Sequence, residues 1–205
     1  MTGPVVGDDG LPRCPWGDAP ADYRAYHDDE WGRAVHGDGA IFERLSLEGF
    51  QAGLSWLTIL RRREHFRDAF AGFDIRGVAA FDESDVERLA TDARLIRHRG
   101  KVEAVIGNAR ILHRWQQEEG EGVLDALVWS CRVERPLPRA MSDVPTQTGE
   151  SILLTQRLRQ RGWRFIGPTS AYAALQAMGV TIDHLVGCHA RSRVTRSSGH
   201  SPDRG

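Results

Sequence analysis

Six segments of the chain carry apolar residues at intervals of three and four positions, which is the period of an amphipathic helix. They lie between residues 38 and 179. No segment shows the sustained alternation of period two that a half-buried strand would show. The pattern therefore predicts an all-α fold that forms one compact unit.

The residues at the ends of these segments are those that commonly begin and end helices. Ser84 and Glu87 match a capping box for a short helix that runs through Ala93. Gly162 and Gly179 are expected to end two of the helices, the first of which reaches about Arg161. The six predicted helices begin at Asp38, Ser55, Ser84, Lys101, Ser151 and Thr169, with Asp, Ser and Thr as capping residues.

The two ends of the chain lack this pattern. Residues 1–12 are acidic and rich in glycine and proline, and residues 191–205 are basic and rich in serine and glycine. We expect both to be flexible tails. Residues 13–190 are then predicted to form a single helical domain.

Length and composition fit an ordinary globular protein. A chain of 205 residues with 40% hydrophobic and 27% charged residues can bury one sizeable core. No apolar run approaches the roughly 18 residues of a membrane span, and the first residues do not match a secretion signal. Three cysteines are too few for a disulfide framework, which indicates a reducing compartment. We therefore expect a cytoplasmic protein.

Charge alone does not indicate a nucleic-acid partner. The formal net charge is −1, so any such partner would have to be recognised by the distribution of charge.

Cys131, beside Trp129, is most simply a buried free thiol.

Two cysteine–histidine pairs lie near opposite ends of the chain. Cys14 and His27 form the first pair, and His184 and Cys188 form the second. His184 and Cys188 are four positions apart, so on a helix they share one side. Two thiolates and two imidazoles can hold zinc in a closed structural site. Spacing alone leaves the alternative of buried thiols and ordinary histidines equally open.

Glu48 is a carboxylate on an otherwise apolar helix face. The face consists of Ile41, Leu45, Glu48 and Ala52. Burying a lone charge is costly, so Glu48 is either functional or partly exposed at the edge of the apolar stripe. Gly49 and Gly53 follow and are expected to end the helix in a sharp turn. Such a turn would place Gln51, Leu54 and Trp56 around the same cavity.

Four aromatic residues are concentrated in a short polar segment near the N-terminus. They are Trp16, Tyr23, Tyr26 and Trp31. Aromatic side chains usually serve packing, and some of these are expected to do so. Their faces could also hold a flat cationic ring by stacking and cation–π attraction.

A basic stretch with one glycine lies between two predicted helices. It contains Arg94, Arg97, His98, Arg99, Gly100 and Lys101. A short hairpin before a helix N-terminus offers backbone N–H groups to anions, and the basic residues add positive charge. This combination suits a phosphodiester backbone and reads no sequence. A solvated basic loop is the alternative.

Together these residues resemble the DNA-3-methyladenine glycosylase I family, within the helix–hairpin–helix glycosylase superfamily. Five stretches, in the order of the family's motifs, show the resemblance, which covers about residues 13–189. The resemblance therefore does not depend on any single motif. They are RCPWGDAPADYRAYHDDEWG (13–32), LEGFQAGLSW (47–56), IRHRGKVEAVIGNAR (96–110), RGWRFIGPTSAYAALQAMG (161–179) and DHLVGCH (183–189).

The resemblance implies a role for each candidate residue. Glu48 matches the family's carboxylate that contacts the polar edge of an extruded base. Tyr23 and Tyr26 match its pocket tyrosines, and Trp56 matches the aromatic residue that stacks on the base. The remaining implied assignments are base-binding Trp16 and Trp31, DNA contacts at Leu54, Arg97, His98, Arg99, Gly100 and Lys101, and structural zinc at Cys14, His27, His184 and Cys188.

The resemblance also implies an activity. It is that of a monomeric, monofunctional repair enzyme that flips N3-methyladenine out of alkylated double-stranded DNA. Hydrolysis of the N-glycosidic bond would leave an abasic site without strand cleavage. Many superfamily members place a catalytic aspartate after the hairpin, but none follows Lys101 here until Asp125. Phe50 departs from the family pattern, in which a polar residue such as glutamine is expected.

Two other functions fit parts of the pattern. A non-catalytic DNA-binding module would use the basic hairpin alone. A zinc hydrolase would need an open coordination position, which requires one of the four ligands to be absent from the metal.

Overall fold

The computed structural model describes residues 2–197, and describes side chains up to residue 194. This part of the chain is mostly helical, as predicted. Its eleven α-helices are α1 Ala21–Asp29, α2 Asp38–Gln51, α3 Trp56–Leu60, α4 Arg63–Ala69, α5 Ile75–Ala79, α6 Glu83–Thr91, α7 Arg99–Glu119, α8 Val123–Trp129, α9 Gly149–Gln160, α10 Pro168–Ala177 and α11 Arg191–Ser197. Three short 3-10 helices lie at Pro15–Gly17, Ala71–Phe73 and Met141–Asp143, and two short strands, β1 and β2, at Val5–Val6 and Pro12–Arg13. No helix among the described residues is long and apolar enough to cross a membrane.

Backbone contacts divide the chain into two compact units, where the sequence predicted one domain. The terminal unit comprises the residues up to Val35, residues 132–146 and the residues from Leu175 onward. The central unit comprises residues 36–131 and 147–174.

In the terminal unit, the segment predicted to be a flexible N-terminal tail is hydrogen-bonded. Strands β1 and β2 pair antiparallel, with Val5 opposite Arg13. The carbonyl of Thr2 accepts a hydrogen bond from the Met141 amide at 3.2 Å. Paired backbone groups give part of this segment a regular structure, while its flexibility stays a prediction.

The predicted C-terminal tail also begins with an ordered element. Helix α11 covers Arg191–Ser197, and Val194 is buried on it, which gives the helix an apolar anchor. Residues 191–197 are therefore helical, while the flexibility of this tail stays a prediction. Residues 198–205, the rest of that prediction, lie outside the described part of the chain.

The core of the central unit is built on α2 and α7. Helix α2 buries Ile41, Phe42 and Leu45 at helical spacing, as predicted. Phe50 is fully buried against Phe66, with ring centroids 4.5 Å apart. A polar side chain at this position would lose that contact, so packing accounts for the departure from the family pattern.

Several helix starts differ from the predictions because a neighbouring residue offers the better cap. Ser55 caps α3 as predicted, and its Oγ accepts from the Thr58 amide at 3.3 Å. The capping box of α6 uses Asp82 and Asp85, and not Ser84 and Glu87. The other corrected starts are Thr148 as the cap of α9, His98 as the cap of α7, and Pro168 as the first residue of α10, so that Thr169 lies inside it.

Asp38 caps a different helix from the one expected. It is the first residue of α2, yet its carboxylate accepts hydrogen bonds from the amides of Gly122, Leu124 and Asp125 at 2.9–3.0 Å. Those amides belong to the N-terminal turn of α8, whose positive dipole end favours a carboxylate. Sequence spacing indicated a capping residue but could not show which helix receives the cap.

Candidate active site and metal centre

Cys14, His27, His184 and Cys188 form one buried cluster in the terminal unit. Their side-chain donor atoms all lie within 4.8 Å of one another. The Cys188 sulfur is 3.6 Å from His27 Nε2 and 3.6 Å from His184 Nδ1. Four such donors at these separations form a group that could hold a metal ion.

Hydrogen bonds to the outer ring nitrogens orient both imidazoles toward the cluster. His27 Nδ1 lies 2.8 Å from Asp28 Oδ1, and His184 Nε2 lies 2.9 Å from the Trp31 carbonyl oxygen. Both oxygens are acceptors, so each of these nitrogens carries the proton. The other nitrogen of each ring then presents its lone pair to the thiols, which is the form a metal ion requires. The residues present therefore fit a metal ion.

Asp28 connects the cluster to a buried arginine. Burial raises the pKa of Asp28, but hydrogen bonds from Arg13, His27 and His189 outweigh it and hold the pKa at about 2. Arg13 is itself almost fully buried and also bonds Asp9 at 2.7 Å. A carboxylate that stays ionised keeps His27 in the orientation described. Sequence reasoning did not identify Asp28 or His189, although both adjoin predicted ligands.

Packing around the ligands explains two glycines. A Cβ atom at Gly17 would lie 2.3 Å from His27 Cγ, and one at Gly32 would lie 3.1 Å from His184 Cδ2. Gly32 also has a φ of 81°, which favours glycine. Both glycines therefore allow the backbone to pass close to the imidazoles.

The four predicted aromatic residues lie together in the terminal unit. The ring of Trp16 is 5.1 Å from that of Tyr23 and 4.9 Å from that of Trp31, while Tyr23 and Tyr26 stack with centroids 6.4 Å apart. Trp31 also meets the His184 ring edge-on at 4.6 Å. The aromatic group is thus continuous with the cluster of cysteines and histidines. Tyr26 and Trp31 are buried, whereas Trp16 and Tyr23 keep partial exposure.

Glu48 is buried in the central unit, with only 4% of its surface exposed. This excludes the alternative of a carboxylate at the exposed edge of the stripe. Its Oε2 accepts no hydrogen bond from the described residues. Burial raises the pKa of Glu48 to about 8, although the charge of Arg44 opposes the shift. A buried carboxyl group with an unused acceptor oxygen is unusual for a purely structural residue.

The turn after Glu48 differs in part from the prediction. Gly49 lies inside α2, which continues to Gln51, and a Cβ atom there would be 3.2 Å from the Phe165 carbonyl oxygen. Gly49 therefore permits close packing and does not end the helix. Gly53, with a φ of 84°, makes the turn. Beyond it Leu54 is 42% exposed and Trp56 is buried at the start of α3.

The basic hairpin connects α6 to α7. Arg97, His98 and Arg99 are exposed, and Gly100 lies in the first turn of α7. His98 Nδ1 accepts from the Lys101 amide at 3.2 Å and so caps the 21-residue helix. Arg99 is surrounded by carboxylates, at 2.8 Å from Glu87 and 3.1 Å from Glu103. Among the described residues, Arg97 makes no ion pair.

Lys101 does not occupy the position expected of a DNA contact. It is 6% exposed, and its Nζ donates to the carbonyls of Phe50 at 2.9 Å and Ala52 at 2.7 Å. Those carbonyls are at the C-terminal end of α2, where the helix dipole favours a cation. The ammonium group joins α7 to the end of α2, whereas the contact of Lys101 with DNA stays a prediction.

Comparison with known proteins gives one consistent family. The model of the methyladenine glycosylase family matches residues 16–192. DNA-3-methyladenine glycosylase 1 of Escherichia coli (strain K12) is 45% identical over 181 residues, which are 87% of this chain and 96% of that protein.

Solved structures agree with this comparison. A crystal structure of 3-methyladenine DNA glycosylase I is 41% identical, with a TM-score of 0.81 over 86% of this chain and 98% of the other. The enzyme of Staphylococcus aureus, whose structure addresses how it recognises 3-methyladenine, is 32% identical. Its TM-score is also 0.81, over 87% of this chain and 96% of the other.

Proposed function

This chain belongs to the methyladenine glycosylase family, and on that premise we propose that it removes 3-methyladenine from alkylated DNA by hydrolysing the N-glycosidic bond. The relatives that share its sequence and fold are 3-methyladenine DNA glycosylases. One observation on this chain carries the proposal: Glu48 is buried, yet one of its carboxylate oxygens accepts no hydrogen bond from the described residues. An extruded base would supply that missing partner.

The chemistry of the lesion determines what the protein must provide. An adenine methylated at N3 is cationic, so its glycosidic bond is already weakened and no strong general acid is needed. The enzyme must take the base out of the stack, at a cost of about a few kcal/mol, and admit only the damaged base. The N9–C1′ bond breaks with its electron pair going to the base, water adds to C1′, and the water gives up a proton. The products are free 3-methyladenine and an abasic site.

Glu48 recognises the base in this mechanism. Its carboxylate accepts hydrogen bonds from the polar edge of the ring and attracts the positive charge. Normal adenine is neutral and keeps a strong bond to the sugar, so its barrier stays high even if it enters. Base-binding roles for Tyr23, Tyr26, Trp56, Trp16 and Trp31 follow from the family motif, and rings of this type hold a cationic purine by stacking and cation–π attraction.

We propose that the enzyme is monofunctional. Strand cleavage by a glycosylase needs an amine that attacks C1′ and forms a Schiff base. The Lys101 ammonium, which follows the hairpin, donates to two carbonyls and is almost fully buried. An amine held in this way is unsuited to attack a sugar.

The metal of the cluster is proposed to be a structural zinc ion. Cys14, His27, His184 and Cys188 would hold it, since two thiolates and two imidazoles form the set that zinc takes up in closed sites. When bound, the metal would contribute folding free energy and leave no open position for water. This arrangement disfavours the alternative of a zinc hydrolase.

The partner is proposed to be double-stranded DNA bound by a monomer in the cytoplasm. Amides at the N-terminus of α7 can hold a phosphate, with Arg97 adding positive charge, and the exposed Leu54 is suited to contact the DNA near the lesion. His98, Arg99 and Gly100 complete the hairpin that lies along the backbone.

The released-base assay tests the proposal directly. Wild-type protein is incubated with methylated duplex DNA, and the freed bases are separated by chromatography. We expect 3-methyladenine to be released, with Glu48→Gln slowed at least about tenfold, since a lost charged hydrogen bond is worth about 1.5–3 kcal/mol. DNA binding should be nearly unchanged.

Glu43→Gln is the matched control. Glu43 lies on the same helix, where it pairs with Arg67 at 2.8 Å, and its loss should leave excision unchanged. DNA binding without release of any base would favour the non-catalytic module. Equal rates for the wild type and Glu48→Gln would remove Glu48 from the mechanism.

A further inference from the structure

Phe165 is an aromatic side chain that lies exposed in a strained backbone conformation. It is 44% exposed and has a φ of 53°, in the left-handed region that bulky residues rarely adopt. Phe73 has a similar φ of 57°, but it is buried against Phe42 and Phe70. Core packing therefore accounts for the strain at Phe73, whereas it does not account for the strain at Phe165.

Hydrogen bonds on both sides of Phe165 impose this conformation. The Arg164 amide donates to Asn108 Oδ1 at 3.0 Å, and the Arg164 carbonyl accepts from Asn108 Nδ2 at 3.1 Å. On the other side, the Arg159 guanidinium donates twice to the Ile166 carbonyl, at 3.0 and 2.8 Å. Strained residues that their surroundings fix so firmly are found mainly at functional sites.

In this conformation the phenyl ring of Phe165 lies beside the hairpin. The ring meets that of His98 edge-on, with centroids 5.7 Å apart. Its Cζ atom lies 3.6 Å from the place of a Cβ atom on Gly100. The Phe165 carbonyl oxygen lies 3.2 Å from the place of a Cβ atom on Gly49, one residue after Glu48. Phe165 thus lies beside the N-terminus of α7 and on the end of α2.

We propose that Phe165 is a DNA-contact residue whose ring packs on the deoxyribose next to the phosphate held at the hairpin. This inference rests on the proposed function, because the occupant is the DNA strand that the hairpin binds. A ring face makes many dispersion contacts with a sugar. The contact is uncharged, so it adds affinity without releasing counterions and should not depend on salt.

Phe165→Gly and Phe165→Asn test the inference, because both remove the ring and both residues tolerate a positive φ. The probe is a duplex that carries a non-cleavable abasic-site analogue. We expect each variant to bind it about tenfold more weakly, with the slope of log Kd against log salt concentration unchanged. Release of the strain should leave the melting temperature equal to or above that of the wild type.

Arg97→Ala is the contrasting variant. If Arg97 contacts a phosphate, the slope of log Kd against log salt concentration should be smaller by about one for this variant than for the wild type. Phe165 variants that bind like the wild type would refute the inference. If both Phe165 variants melt at a lower temperature and lose binding to the same degree, Phe165 serves folding. That result would also refute the inference. If the wild type binds no duplex and releases no methylated base, the proposed function fails, and this inference fails with it. If the wild type releases the base while only the Phe165 prediction fails, the proposed function stands.

Discussion

At the scale of single residues, burial determines the properties of Glu48. Water would stabilise its charge, but only 4% of the residue is exposed, and within the described part of the chain the charge of Arg44 opposes the shift. The pKa of about 8 means that the free protein carries this group largely protonated at neutral pH. A cationic base bound nearby would favour the ionised form, so lesion binding and deprotonation are expected to be coupled.

Glu48 should make the stability of the protein depend on pH. Its pKa rises from an ordinary 4.5 to about 8 on folding, so the folded state binds this proton more tightly. The resulting stabilisation is complete below about pH 4.5 and is lost as the pH rises to 8. Glu48→Gln lacks this dependence. Between pH 5 and 8, its free energy of unfolding should therefore rise relative to that of the wild type by on the order of a few kcal/mol. Urea unfolding at a series of pH values measures the difference. The same trend in Glu43→Gln would contradict the assignment.

The same group should shape the pH profile of excision. The carboxylate is the form that accepts hydrogen bonds from a cationic base, so kcat/KM of the wild type should rise with pH and reach half of its maximum near pH 8. Glutamine does not ionise in this range, so the remaining kcat/KM of Glu48→Gln should not rise with pH. Kinetics on methylated duplex DNA between pH 6 and 9 would test this, and a wild-type profile that is flat over this range would exclude an ionisation of Glu48 from the reaction.

Lys101 is expected to affect stability more than the salt dependence of DNA binding. Lys101→Met keeps most of the apolar stem but leaves the carbonyls of Phe50 and Ala52 without their donor. Leaving buried carbonyls unsatisfied should lower the unfolding free energy by about 1–3 kcal/mol. The slope of log Kd against log salt should equal that of the wild type. A slope reduced by about one would instead restore Lys101 as a phosphate contact.

At the scale of elements, the caps show what the sequence could and could not predict. Helical periodicity located α2, α7 and α9 to within a few residues, because each buries a regular apolar face. Capping residues were harder to assign, since several polar residues precede each helix and small differences in backbone geometry select among them. The choice of Thr148 over Ser151 at α9 is one such case.

The tertiary role of Asp38 gives a prediction at this scale. Its carboxylate accepts from three amides of the α8 terminus and from Gln116 Nε2 at 2.7 Å. Asp38→Ala should therefore cost more than an ordinary cap, roughly 2–4 kcal/mol of unfolding free energy. Asp82→Ala, at the exposed cap of α6, is the control and should cost about 1 kcal/mol. Equal losses in urea unfolding would show that the contact with α8 adds nothing.

At the scale of the whole molecule, the cluster of two cysteines and two histidines joins distant parts of the chain. The terminal unit consists of three separate segments, and its four candidate ligands come from the first and the last of them. The sequence indicated these four residues because thiols and imidazoles are few in this chain. The orienting contact from the Trp31 carbonyl could not be predicted, since every residue has a carbonyl group and no sequence pattern marks one that faces a ring nitrogen.

If the cluster holds the proposed zinc ion, its removal should unfold more than the cluster itself. A bound ion closes a loop between His27 and His184, which are 184 − 27 = 157 positions apart, and its binding free energy becomes folding free energy. Cys14→Ser should lose the bound zinc and melt at least about 10 °C lower, because several kcal/mol are lost and each one shifts Tm by about 2–4 °C. Cys131→Ser removes a buried thiol outside the cluster and should keep one zinc per chain. Metal analysis and thermal unfolding, with and without a chelator, measure both effects. A Cys14→Ser protein that retains full zinc, or a wild type whose melting the chelator leaves unchanged, would show that this cluster does not hold a structural metal.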